Sequence, residues 1–232
     1  ADTVDSFAAI KKCLDNRISL ETIRGSIKNN FQTDKKLHQI LNNAPKYGQD
    51  DMSADQYLDF VLDCYTGALK AAGKNTRGGS YVSGGFSSGA HQLFGQRTMA
   101  LPSGRKKGFR LANGVSPTDA ADVSVITATM SSVSRLNPKH YVNGYTFNQK
   151  VDPPLMENAK LFSGLIKGFF RQNNKGVQIQ FNVINKEILE AAREHPDRYP
   201  WLVVGVSGYS AYFKDLSSQM QDEIINRSLK KG

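Results

Sequence analysis

The segment Val206-Ser207-Gly208-Tyr209-Ser210-Ala211-Tyr212 has the residue types and order best suited to chemistry in this chain. It follows the apolar run Trp201-Leu202-Val203-Val204 and precedes a helix start at Leu216-Ser217-Ser218. A strand running into a glycine-centred loop and then a capped helix holds one backbone carbon in a fixed place. The loop offers no acid, base, thiol or metal ligand. If it does chemistry, the agent is the glycine backbone; read for structure alone, Gly208 is a tight-turn glycine that supplies a positive φ.

Other candidate groups are sparse. Cys13 and Cys64 lie far apart, both in helical patterns and without a CxxC or His-rich neighbour. They read as buried free thiols in a reducing compartment, and no metal site is expected. His91 follows a Gly-Ser run with no carboxylate partner visible in the sequence, which makes it structural. Arg105, in the turn Leu101-Pro102-Ser103-Gly104-Arg105, is expected to pin that turn through carbonyls or a carboxylate. The net charge of +9 is compatible with nucleic acid or with an acidic partner protein. Its tight cluster, Arg105-Lys106-Lys107 with Arg110, has no nucleic-acid-binding signature around it, so no nucleic acid is expected. The Gly-rich stretch Ser83-Gly84-Gly85-Phe86-Ser87-Ser88-Gly89 lacks both GxxxxGK[ST] and GxGxxG and reads as loop and strand-end glycine.

The elements that must position these residues follow from periodicity. The first third is helical: Phe7, Ile10 and Leu14 share a face, Ser19 caps a helix with Ile23 and Ile27, and Ser53-x-x-Gln56 has the form of a capping box. Behind it Tyr57, Val61, Cys64, Tyr65 and Ala68 repeat at three and four. Between these helices Asn42 to Gly48 is a turn. Thr127 to Val133 begins another helix, and Leu155, Ala159, Phe162, Ile166 and Phe169 mark an amphipathic one. Val177, Ile179, Phe181 and Val183 alternate as a strand; Asn185 caps a helix that Pro196 ends; Trp201 to Val206 reads as a strand buried on both faces. Helix, strand, helix, strand predicts neighbouring parallel strands in an α/β layer. At 232 residues the chain can bury a real core. It has no apolar run of membrane length and no signal-peptide pattern, and its opening Ala1-Asp2-Thr3 suggests a processed or trimmed product.

Val206 to Phe213 resembles the signature of the glycyl radical enzymes, the family that includes pyruvate formate-lyase and glycerol dehydratase. Asn43-Ala44-Pro45-Lys46-Tyr47-Gly48, Ala100 to Arg105, Gly114-Val115-Ser116-Pro117, Ser131 to Leu136, Asn148-Gln149-Lys150 and Gln180-Phe181-Asn182-Val183 look like further family segments in family order. The resemblance covers essentially the whole chain. It implies an α/β fold, the C-terminal part of a ten-stranded α/β barrel. Residues 1–76 are expected to form a helical segment packing on that barrel, and residues 77–232 to supply barrel strands and the glycine domain.

By the same resemblance Gly208 stores a radical installed by a radical S-adenosylmethionine activating enzyme, with no bound metal. Glycine suits the task because a planar α-radical delocalises into the amide on one side and the carbonyl on the other, and a side chain opposes that planarity. Ser207, Tyr209, Gln180 and Asn182 are expected to support the loop, and Tyr81, Ser83, Phe147 and Gln149 to line part of a pocket for a small-molecule substrate. Family members are much longer, and neither Cys13 nor Cys64 resembles their cysteine loop. The catalytic thiol is therefore expected on a larger partner subunit, in a cytoplasm free of oxygen. Where the family usually has Arg, two residues before the Ser of the motif, this chain has Gly205, which bears on recognition by the activating enzyme. Two alternatives stand beside the split lyase: a repair part that replaces an oxygen-cleaved glycine segment, and a basic binding module with no radical.

Overall fold

The computed structural model describes the chain except residues 87–88, 119–124, 152, 173–177, 183–185, 207–208 and 228–232. The expected cap Asn185, the strand ends Val177 and Val183, and the loop residues Ser207 and Gly208 lie outside the described residues.

The first third is helical, as its periodicity predicts. Helices α1 (Asp2–Asp15), α2 (Leu20–Lys28) and α3 (Lys35–Asn42) precede a short α4 (Met52–Asp55) and α5 (Leu58–Ala71). Ser19 caps α2 by accepting the Thr22 amide at 3.1 Å. Asp34 does the same for α3 with Leu37. The Ser53–Gln56 capping box does not form. Asp51 takes the Ser53 amide instead, so Ser53 lies inside α4 and Gln56 closes it. The buried stripe of α1 is Val4, Asp5, Ala8, Ala9 and Cys13, not the Phe7–Ile10–Leu14 face. Small alanines let α1 approach its neighbours closely, while Phe7 leans outward onto Tyr57 and Phe60. Cys13 is a buried free thiol, but Cys64 is exposed, because α5 buries Leu58 and Leu62 instead.

The Gly-Ser-rich middle yields α6 (Ala90–Arg97), a helix that the loop reading missed. Then come α7 (Ile126–Ser134), β1 (Phe147–Lys150), α8 (Pro153–Glu157), α9 (Ala159–Arg171), β2 (Ile179–Asn182), α10 (Lys186–Glu194), β3 (Val203–Gly205), β4 (Ser210–Tyr212) and α11 (Ser218–Arg227). Strand β1 pairs with β2 in parallel, Phe147 opposite Ile179 and Lys150 opposite Asn182, with α9 in the crossover. The class is α/β, but the expected parallel pairing of β2 with the Trp201–Val206 run does not occur. That run becomes β3, which pairs antiparallel with β4. Nor is it buried on both faces: Val204 and Val206 are buried, whereas Trp201 and Val203 are exposed.

One core joins Val4, Tyr47, Leu58 and Leu62 of the helical third to Val115, Val133, Phe147 and Phe169, seating α1, α5 and α7 against the parallel strands. A second lies among α1, α2 and α3. A third gathers Leu189, Leu202, Val204, Phe213, Ile224 and Ile225, so the β3–β4 hairpin rests on α10 and α11. Each such side chain contributes about 1.5–3 kcal/mol on burial. Among the described residues no helix is long and apolar enough to cross a membrane.

Candidate functional site

The hairpin brackets position 208. Gly205 faces Ser210 in the ladder, and the turn closes where the Val206 amide donates to the Tyr209 carbonyl at 2.8 Å. Two side-chain amides hold the carbonyls on either side of the loop. Asn113 Nδ2 donates to the Val206 carbonyl at 3.3 Å, and Gln180 Nε2 donates to that of Tyr209 at 3.3 Å. Asn113 also donates to Glu223 Oε1 at 3.2 Å. Glu223 is 1% exposed, and its other oxygen lies 2.7 Å from His91 Nε2 and accepts Gln92 Nε2. His91 therefore has a carboxylate partner, one not visible in the local sequence. That partner is 132 residues further along the chain, where no local pattern reveals it. The pair ties α6 to α11, and Asn113 extends the tie to the base of the glycine loop.

Beside this base lies a cavity of about 420 Å³. Five of the segments quoted for the family resemblance reach its wall: Lys46 comes from residues 43–48, Ser103, Gly104 and Arg105 from residues 100–105, and Ser116 and Pro117 from residues 114–117. Asn148, Gln149 and Lys150 of β1 and Asn182 of β2 complete that side, with Asn113 and Glu223 shared with the loop base. Local chemistry explains each position. Arg105 donates to the carbonyls of Gly95, Met99, Phe109 and Arg110, pinning its turn as predicted; its burial lowers its pKa. Lys46 is buried and donates to Leu41 and Ala44 carbonyls at 2.9 and 3.1 Å. Burial lowers its pKa, against the pull of Asp5. The Tyr47 hydroxyl reaches the Val115 carbonyl at 3.0 Å, and full burial holds its pKa well above the usual value. Ser116 Oγ accepts the Asn148 amide at 2.9 Å and donates to the Asn148 carbonyl, capping the free edge of β1.

Two amides in the wall have unused capacity. Among the described residues, Gln149, 7% exposed, gives Nε2 to the Lys150 carbonyl but finds no partner for Oε1, and Asn148 finds none for either amide atom. Buried amides of this kind are costly unless something meets them. The wall thus has polar positions that a further chain segment or ligand can satisfy.

Of the residues expected to line a pocket, Gln149 reaches the cavity and three do not. Phe147 is 0% exposed and packs against Phe169, inside the core that joins the helical third to the strands. Ser83 is buried and donates to the His140 carbonyl. Tyr81 stands exposed away from the cavity wall. Of the expected loop supports, Gln180 touches the loop, Asn182 lies two residues on along β2 at the cavity wall, and Tyr209 is half-exposed. Asn113 and Glu223 were missed. The signal available for Glu223 was an acid directly before the apolar pair Ile224-Ile225; for Asn113 it was only its place before a family-like segment.

Residues 111–214 match the family model described as glycine radical, and residues 1–95 match the one described as pyruvate formate lyase-like. The chain is 38% identical to "Probable dehydratase YbiW" of Escherichia coli K12, over 98% of this chain and 30% of that protein. It is 32% identical to trans-4-hydroxy-L-proline dehydratase of Clostridioides difficile, over 97% of this chain and 29% of that protein. Its fold superposes with TM-score 0.91 on the glycerol-bound B12-independent glycerol dehydratase of Clostridium butyricum, at 38% identity, covering 98% of this chain and 29% of that one. The chain thus spans about three tenths of the length of the relatives it matches. Two adjacent family models, whole-chain similarity to these relatives and the same backbone fold lead to one conclusion: the chain belongs to the glycyl radical enzymes.

Proposed function

We propose that this chain is the glycyl-radical-bearing part of an anaerobic radical lyase, as a small subunit or C-terminal fragment, and that Gly208 is the storage residue. The observation that carries the reading is the tied hairpin: Val206 and Tyr209 are bonded to each other, and a side-chain amide holds each carbonyl. A radical S-adenosylmethionine activating enzyme removes one hydrogen atom from the Gly208 α-carbon. In turnover a cysteine of a larger partner gives its S–H hydrogen to that carbon, and the thiol sulfur is left to act on substrate. This chain's residues keep the α-carbon at a fixed place and keep water away from the loop base. Ser207 and Tyr209 fix the loop, Gln180 and Asn182 brace it, and residues 1–76 serve as a helical layer on the barrel that residues 77–232 help to build.

Several features support a larger partner. Both thiols lie in the helical third, one buried and one exposed on α5. Trp201, Val203 and Tyr212 form an exposed apolar face on the hairpin side. Asn148 and Gln149 point to a wall that awaits hydrogen-bonding groups. The relatives named as dehydratases favour an eliminating lyase acting on a small molecule.

The test is anaerobic activation of the protein with its larger partner, followed by electron paramagnetic resonance. A doublet from one α-hydrogen is expected, abolished by Gly208→Ala. Brief exposure to oxygen should then cut the chain at residue 208, seen by mass spectrometry. A radical signal that survives Gly208→Ala would overturn the assignment. Restoration of a damaged full-length enzyme by this chain alone would replace the split lyase with the repair role.

A further inference from the structure

Gly205 is a glycine that its own backbone does not explain. It is the last residue of β3 and is not among the glycines with positive φ. In a strand, glycine costs about 0.5–1 kcal/mol relative to alanine and often marks a place where something approaches closely. Here two side chains approach. A Cβ at position 205 would overlap Gln180 Nε2 and Asn182 Oδ1 and lie 2.8 Å from Gln180 Cδ. Gln180 and Asn182 are two apart on β2, so both project from one face of it, toward β3. The Tyr209 carbonyl that Gln180 reaches already accepts the Val206 amide, so its two lone pairs are taken from inside and outside the hairpin.

We propose that Gly205 is the seat of a two-amide clamp, and that Gln180, admitted by the missing side chain, is a positioning residue for the glycine loop. The significance of the clamp for catalysis rests on the proposed radical role of Gly208; the clamp itself does not. The atoms a methyl group would meet are the ends of flexible side chains. Gly205→Ala should therefore leave the fold standing and push the amide off the Tyr209 carbonyl. Asn182 Oδ1 lies against the same space beside position 205.

The experiment compares Gly205→Ala, Gln180→Ala and the double variant in the complete protein with its larger partner. The first readout is hydrogen exchange of the Val206 amide. Each single change should speed that exchange about tenfold, the loss of one net hydrogen bond. The double variant should exchange no faster than either single one, because both act through the same contact. The second readout, on activated protein, is the hyperfine splitting and yield of the radical, which should shift in parallel. Wild-type exchange in Gly205→Ala, additive effects, or coupled exchange with an unaltered radical signal would each overturn the proposal. A wild-type protein with no radical signal refutes the radical reading and leaves the exchange data to decide the clamp.

Discussion

Replacing Glu223 with alanine tests the logic of the loop base most directly. The carboxylate sits at 1% exposure and is shared by His91, Gln92 and Asn113. Gln92 is only half-buried and can turn to water, but His91 and Asn113 are buried and lose this acceptor. Each buried donor that loses this acceptor costs about 1–3 kcal/mol, so His91 and Asn113 together cost about 2–6 kcal/mol. Asn113 also holds the Val206 carbonyl, so the loss reaches the hairpin. At about 1.4 kcal/mol per decade, protection of hairpin and α11 amides should fall by about one and a half to four decades. Native-state hydrogen exchange in the complete protein, read by mass spectrometry on peptides covering 203–212 and α11, measures it. Glu223→Gln keeps one acceptor oxygen and should lose less. The paired replacement His91→Leu with Glu223→Leu should recover part of the loss, since apolar groups need no partner. A change of less than about threefold in Glu223→Ala would refute the reasoning, because it would mean that the buried carboxylate carries almost none of the tie.

Gly48 has φ +99, and a Cβ there would lie 2.6 Å from Pro117 Cβ, where two of the family-like segments meet. Gly48→Ala should cost about 1–3 kcal/mol in strain, lowering the thermal midpoint of the complete protein by about 2–4 °C per kcal/mol; an unchanged midpoint would show that the two loops are not packed as described. Asp5 accepts the Tyr47 amide and the Thr118 hydroxyl, each at 2.8 Å, and burial raises its pKa above the ordinary 3.8. The folded state therefore holds this proton more tightly than the unfolded one. The contribution is fully present below pH 3.8 and is lost as pH rises through the folded value. Asp5→Asn, whose amide can donate to the Thr118 hydroxyl, should flatten the fall in urea midpoint above that pH; an identical slope in both proteins would assign the pH dependence elsewhere.

Much of the local structure could be read before the tertiary arrangement. Ser19 and the spacing of Ile23 and Ile27 gave α2, and Arg105 in its Pro-Ser-Gly turn binds carbonyls as its surroundings suggested. These depend on groups within a turn or two of one another. The misreadings share a different cause. The Phe7 face of α1 and the pairing of β3 were decided by which surfaces met, and Asp51 took the cap that Ser53 was expected to supply.

The sequence by itself determined the residue types: a glycine-centred loop without acid, base or thiol, set among segments whose order matches one family. Only the tertiary structure decided that five of those segments line one cavity, that His91 meets Glu223, and that Gln180 and Asn182 occupy the space beside Gly205. The physical reason is range. Propensity, capping and periodicity act over a few residues and are written locally. A buried carboxylate or a side-chain-free strand position acquires its meaning from partners brought close only when the chain has closed on its cores.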